Sequence, residues 1–306
     1  MEWATVPVTY FPVATQHQLR KNQQRISGKP YARYFRPELR LRAEVLPALE
    51  RPMSATDALP LRDVNALLDP GYHRVENGFC ELRDGSAYVA SLVPFSGATG
   101  EMYQWWFWWH AVESERYTLW YPHNHVAVRP LDRSVLTAPG LTHEQRYVGT
   151  THHVDEYIGP DFVRVAIRFV DPAELGLDTS RFAAAGIVGH ACARVRLIGT
   201  PAEVVTMIHL ARRTDRGIEQ RSRYWIGHDV RLRGFGASLR VGRWPWLTRR
   251  LAGERIGYEQ FLHDQIEFTH LSEFLPDLWR EFGQLAEAPE VRASSSTRAP
   301  IGARPR

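Results

Sequence analysis

The chain has 306 residues, 44% hydrophobic and 24% charged, with a formal net charge of +4. That size and balance are enough for a full hydrophobic core and exclude a disordered or fibrous chain. The positive charge is almost all arginine, with lysine only at Lys21 and Lys29, and it is spread along the chain, so it forms no nucleic-acid footprint.

Residues 1–70 are polar and proline-punctuated, with short amphipathic helical stretches such as 55–68. They read as an N-terminal arm wrapped on the main domain or on a partner subunit. Residues 75–82 and 86–94 read as two strands joined by a turn at Asp84-Gly85. Thr99 is placed to cap a helix in which Met102, Trp105, Trp106 and Trp109 recur at i, i+3, i+4 and i+7. A tryptophan stripe with that spacing belongs in a core. Strands are predicted over 147–158, 162–170, 186–198, 203–212 and 218–230. In the second of these, Val163, Val165, Ile167 and Phe169 share an apolar face, with Arg164, Ala166 and Arg168 opposite. Residues 255–282 read as a long helix, which Pro276 should kink or break. Residues 288–306, rich in Ser, Arg, Ala and Pro without periodicity, read as a disordered tail. The whole is α+β, a curved antiparallel sheet gripping a long C-terminal helix over residues 71–287. Such an arrangement leaves a cavity for a small apolar ligand.

Cys80 and Cys192 make no C-x-x-C pair and read as buried thiols of a reducing compartment. No apolar run reaches the ~18 residues of a membrane span, and no signal region opens the chain, so a cytoplasmic protein is expected. Dinucleotide, P-loop, nucleophile-elbow and H-E-x-x-H motifs are all missing. The chemistry-bearing residues are instead histidines and carboxylates. His263-Asp-Gln-Ile-Glu267 puts two ligand-type side chains four apart on one helical face. Trp120-Tyr-Pro-His-Asn-His125 puts histidines just after a helix-breaking proline, and Thr151-His-His-Val-Asp-Glu-Tyr157 puts Glu156 in a strand. Taken singly, each also suits a surface pair or a satisfied core group.

Taken together these segments resemble the bacterial 2,4-diacetylphloroglucinol hydrolase and phloretin hydrolase family over residues 50–285. The carriers are Pro70-Gly-Tyr72, Glu76-Asn-Gly-Phe-Cys80, Asp84-Gly85, Met102-Tyr-Gln-Trp-Trp-Phe-Trp-Trp-His110, Leu119-Trp-Tyr-Pro-His-Asn-His125, Glu156-Tyr-Ile-Gly159, Arg221-Ser-Arg-Tyr-Trp-Ile-Gly227 and His263-Asp-Gln-Ile-Glu267. The resemblance implies a helix-grip (Bet v1-like) fold, a homodimer, and one zinc ion per chain on His125, Glu156, His263 and Glu267. The spacing to Glu156 follows the family pattern, which selects His125 over His123. The resemblance also implies an essential histidine near His209, and tyrosines at Tyr117 and Tyr224 that bind the phenolic oxygens of the substrate. It departs at Val128, where the family carries an asparagine that contacts a ring hydroxyl.

The implied reaction is hydrolysis of the carbon–carbon bond between an acyl group and a phenolic ring, by attack of zinc-bound hydroxide on the acyl carbonyl of the keto tautomer. The expected partner is a small acylated phenol, with no nucleic acid and no membrane. Two other readings of the same pocket are a binding protein without turnover and a different metal-dependent hydrolysis.

Overall fold

A computed structural model of the chain describes residues 4–234, 237–240 and 252–283. The tail expected over 288–306 lies outside the described residues. Strands β1 (Thr5–Pro7) and β2 (Arg40–Arg42) pair antiparallel and flank helix α1 (Val13–Ile26), and a short helix α2 (Leu46–Glu50) follows. Residues 55–68, expected to hold an amphipathic helix, instead form 3-10 turns over Leu61–Leu68, interrupted at Asp63. The segment still buries Val64, Leu67 and Leu68, as its pattern requires.

Among the described residues the main sheet has ten strands. They are β3 (Gly78–Glu81), β4 (Ala87–Ser96), β5 (His125–Pro130), β6 (Thr151–Ile158), β7 (Asp161–Phe169), β8 (Ile187–His190), β9 (Ala193–Leu197), β10 (Ala202–Thr214), β11 (Gly217–Gly234) and β12 (Ala237–Arg240). Their order is β3-β4-β11-β10-β9-β7-β6-β5, with β8 beside β10 and β12 beside β11, and every pairing is antiparallel. The stretch 186–198, expected as one strand, is two. The chain steps at Ala191-Cys192, which lets β9 pair with both β7 and β10.

Alternation sorts the sheet's two faces. Tyr88, Ala90, Ile208, Leu210 and Trp225 point outward and pack under Val64, Leu67 and Leu68. Val89, Val93, Phe95, Met207, Tyr224 and Ile226 point inward to the larger core. That core receives helix α3 (Gly100–Trp109), whose Thr99 side chain accepts the Met102 N–H at 3.3 Å, the cap its sequence predicts. Trp105 and Trp106 are fully buried and Trp108 and Trp109 nearly so, so the tryptophan stripe is core. Gly100 is required where α3 meets β8, because a Cβ there would lie 2.1 Å from the Val188 carbonyl oxygen. Helix α4 (Ser114–Trp120) leads into β5.

The helix expected over 255–282 is two, α5 (Glu254–Ser272) and α6 (Leu275–Phe282). Pro276 sits in the first turn of α6, where its missing N–H has no intrahelical duty. Helix α5 crosses the inner face and packs on β3 and β4. Among the described residues, no helix is long and apolar enough to cross a membrane.

Candidate active site

Three elements meet at one end of the inner cavity. His125 opens β5 and is the register partner of Glu156 on β6. His263 and Glu267 lie one turn apart on α5, a helix buried along most of its length. The ligand-type atoms of His125, Glu156 and His263 all lie within 4.8 Å of one another. Glu267 Oε2 completes the cluster, 3.3 Å from His125 Nε2 and 3.6 Å from His263 Nε2. Glu156 Oε2 lies 3.6 and 4.0 Å from the same two nitrogens. His123, two residues from His125, is elsewhere: its Nε2 meets the Pro37 carbonyl at 3.0 Å and its ring stacks on Phe11.

The donor set makes this a candidate cation site. His125 Nδ1 meets the Tyr117 carbonyl oxygen at 3.1 Å, and a carbonyl only accepts, so the proton is on Nδ1 and Nε2 is a bare lone pair. That buried Nε2 has no hydrogen-bond partner. Burial, and then His263 nearby, hold His125 well below the usual imidazole range, so it is a neutral ligand. Burial, then the charges of Asp264 and Glu156, push Glu267 well above the usual carboxylate range. A bare imidazole nitrogen facing carboxyl oxygens in a dry interior needs either a carboxyl proton or a cation between them; burial gives Glu267 the proton when no ion is bound, and an ion would take its place. Two nitrogens and two carboxylates fit zinc and leave other first-row divalent ions open.

Helix α1 supports the cluster from behind. Asn22 Nδ2 donates to the Pro122 and His125 carbonyls at 2.9 and 2.7 Å, and Arg25 donates to the Val126 carbonyl at 2.8 Å. Tyr117, on α4, stacks on the His125 ring at 3.8 Å and donates its hydroxyl to Glu156 Oε2 at 2.5 Å. Its hydroxyl therefore holds a cluster carboxylate.

Across the cavity, His209 on β10 stands opposite Ser222 on β11. Its Nδ1 lies 2.8 Å from Ser222 Oγ, and its Nε2 lies 3.3 Å from the Tyr224 hydroxyl. Tyr224 donates to Asp264 Oδ2 at 2.7 Å, and Ser91 donates to Asp264 Oδ1. Ser222 Oγ also accepts from Gln220 Nε2 at 2.8 Å. Burial lowers His209 to about 3, so the imidazole is neutral. Burial raises Asp264 to about 6 against the pull of its hydroxyl donors. Asp264, Ser91 and Ser222 were not singled out from sequence. The available signal was that Asp264 is one helical step from His263, on the side that meets the sheet.

The cavity enclosed by these groups has a volume of about 350 Å³. Glu156, His263 and Glu267 line one side and His209 and Tyr224 another, while Val163, Val165, Ile167 and Phe169 form the apolar wall their alternation predicts. Val128 also lines it, so an apolar side chain does face the ligand space at that position.

Fold and site together define an α+β cavity protein with a buried N/O donor set of the kind that holds one divalent ion. Known proteins place it further. The family model described as "DAPG hydrolase PhiG domain" matches residues 59–280, and the chain belongs to that hydrolase family. A 2,4-diacetylphloroglucinol hydrolase from Pseudomonas sp is 37% identical over 285 residues, covering 90% of this chain and 96% of the relative. The enzyme of the same name from Pseudomonas protegens is also 37% identical, covering 90% of this chain and 92% of its own. A phloretin hydrolase from Eubacterium ramulus is 29% identical over 264 residues, covering 82% and 89% of the two chains.

Proposed function

We propose that this protein hydrolyses the carbon–carbon bond joining an acyl group to a phenolic ring, on an acylphloroglucinol- or phloretin-like substrate. The observation that carries the reading is one cavity lined on one side by a metal-ligating cluster and on another by an uncharged Tyr224–His209 pair. The relatives' names supply the substrate class.

In this reading His125, Glu156, His263 and Glu267 hold one zinc ion per chain. Zinc supplies a Lewis acid that polarises a carbonyl and lets a water ionise near neutral pH. The protein's own groups perform the rest. Direct loss of an aryl carbanion is too costly, but a phenol ring in its keto form can leave as an enolate. A proton first moves onto the acyl-bearing ring carbon to give the keto form; the oxygen of water then adds to the acyl carbon, the bond to the ring breaks, its electron pair enters the ring as the phenolate, and the products are the carboxylic acid and the deacylated phenol. His209 Nε2, beside the Tyr224 hydroxyl, is the group that moves that ring proton. Tyr224, held by Asp264, and Tyr117, which lines the cavity while it keeps Glu156 in place, present their hydroxyl oxygens to the phenolic groups, and the apolar walls exclude water. The same reading takes the sheet and α5 as a helix-grip (Bet v1-like) domain over 71–287, with the arm 1–70 as a homodimer contact and a cytoplasmic location suited to two free thiols.

The test is mass spectrometry of products from a panel of acylated phenols incubated with the zinc-loaded protein. Equal amounts of carboxylic acid and deacylated phenol are expected. Binding without conversion of any member would leave a binding protein on the same fold, and cleavage of esters alone would leave a different hydrolysis.

A further inference from the structure

The cavity also holds two histidines that the chemistry above does not use. His110 follows the last turn of α3 and His152 stands on β6, on the same face as Val154 and Glu156. Both line the cavity, and both are nearly inaccessible from outside, at 4% and 1% exposure. Beside Tyr117 and Thr150, their surroundings are apolar: Phe107, Trp120, Val128, Val154 and Phe169.

The hydrogen bonds fix which nitrogen of each ring is bare. His110 Nδ1 meets the Trp106 carbonyl oxygen at 2.6 Å, so Nδ1 carries the proton. His152 Nε2 lies 3.1 Å from Thr150 Oγ1. The Thr150 hydroxyl has already given its proton to the Tyr147 carbonyl at 2.6 Å, so it can only accept, and His152 carries its proton on Nε2. His110 Nε2 and His152 Nδ1 are left as lone pairs with no hydrogen-bond partner among the described residues. Burial lowers the two imidazoles to about 4 and about 3, so neither gains a second proton near neutrality. The pair supplies acceptors without donors in a mostly apolar pocket.

We propose that His110 and His152 form a second recognition subsite, which accepts hydrogen bonds from ring hydroxyls of a polyhydroxylated acylphenol whose acyl group lies at the His125–Glu156–His263 cluster. The proposal rests on the acylphenol reading of the cavity. Both histidines line the same cavity as the cluster. His110 is two ring contacts from His125: it packs on Tyr117 at 5.7 Å, and Tyr117 stacks on His125 at 3.8 Å. Val128 pairs with Val154 at the level between the cluster and His152, so these two side chains offer no polar contact there and the histidines do. A ring without hydroxyls beyond the reacting one would leave both lone pairs unpaired. Selection is therefore for hydroxyl donors, and a ring ether at the same place gains nothing.

The experiment uses calorimetric titration of the zinc-loaded protein with phenol, 1,3-dihydroxybenzene and 1,3,5-trihydroxybenzene, together with ¹⁵N spectra of its imidazoles. Affinity should rise about tenfold for each hydrogen bond accepted. His110→Phe and His152→Phe should each remove part of that rise while leaving phenol binding near wild type. The two unprotonated histidine nitrogens should shift upfield when trihydroxybenzene binds, a readout that needs no variant to fold. Affinity independent of hydroxyl number, unshifted nitrogens, or variants that keep the full rise would overturn the subsite. Hydroxyl-dependent binding with no turnover of any acylphenol would sink the hydrolase reading and leave the subsite. Turnover indifferent to ring hydroxyls would do the reverse.

Discussion

Asp264→Asn tests whether the buried carboxylate on α5 orients the tyrosine that faces the substrate. The substitution keeps the shape of the side chain and changes one acceptor oxygen to an NH₂ donor. In the wild type, Ser91 donates to one carboxylate oxygen and Tyr224 to the other. Asparagine can satisfy only one of them, and the other hydroxyl then meets a donor in a fully buried position. An unsatisfied buried donor costs about 1–3 kcal/mol. If Tyr224 bears that cost in the transition state, kcat falls roughly 5- to 150-fold. The assay is steady-state turnover of an acylphenol by the zinc-loaded variant, with metal content and Tm measured on the same preparation. Metal content should stay near one ion per chain, and the loss should fall on kcat more than on KM. A folded, zinc-loaded variant with wild-type kcat would refute the positioning argument.

Three further outcomes follow from the same contacts. Glu267→Gln should lower metal occupancy and abolish turnover, because the cluster loses one of its two carboxylates; elemental analysis beside the activity assay checks both. His209→Ala should keep its metal and still bind substrate while kcat drops roughly 10²- to 10⁴-fold, the usual contribution of a positioned acid/base; near-normal kcat would assign the ring proton to another group. Glu76 should make stability depend on pH. Burial alone would raise its carboxyl, but Arg223 and Arg221 outweigh burial and hold it at about 2, below the ordinary 4.5. The stabilisation, about 3 kcal/mol, is complete above the unfolded-state value and is lost as pH falls from there toward 2. Chemical denaturation of wild type and Glu76→Gln across that window should show the difference between them shrinking with acid; a difference constant down to pH 2 would contradict it.

Local pattern carried part of this architecture. The alternation at Val163, Val165, Ile167 and Phe169 identified an apolar strand face, which the structure turns to the cavity, and the spacing of the tryptophans identified core, because each is a one-element signal. His263 and Glu267 were legible as a pair for the same reason. Their union with His125 and Glu156 was not, since the four clustered residues come from three elements and only the sheet's register brings His125 opposite Glu156. Family resemblance supplied that grouping. Asp264 was passed over because its importance depends on β4 and β11 crossing beneath α5, bringing Ser91 and Tyr224 to it. The step at Ala191-Cys192 was hidden by continuous β-type sequence on both sides. Helix α4, which carries Tyr117, is too short for periodicity to reveal.

The central claim is that acyl–ring cleavage is carried out at the cluster of His125, Glu156, His263 and Glu267. The direct measurement is turnover of an acylated phenol by metal-stripped protein as zinc is titrated back. The account predicts no turnover without metal, then activity rising in proportion to bound ion and levelling off at one per chain. Full activity in the metal-stripped protein, or bound zinc that leaves turnover at zero for every acylphenol, would contradict it.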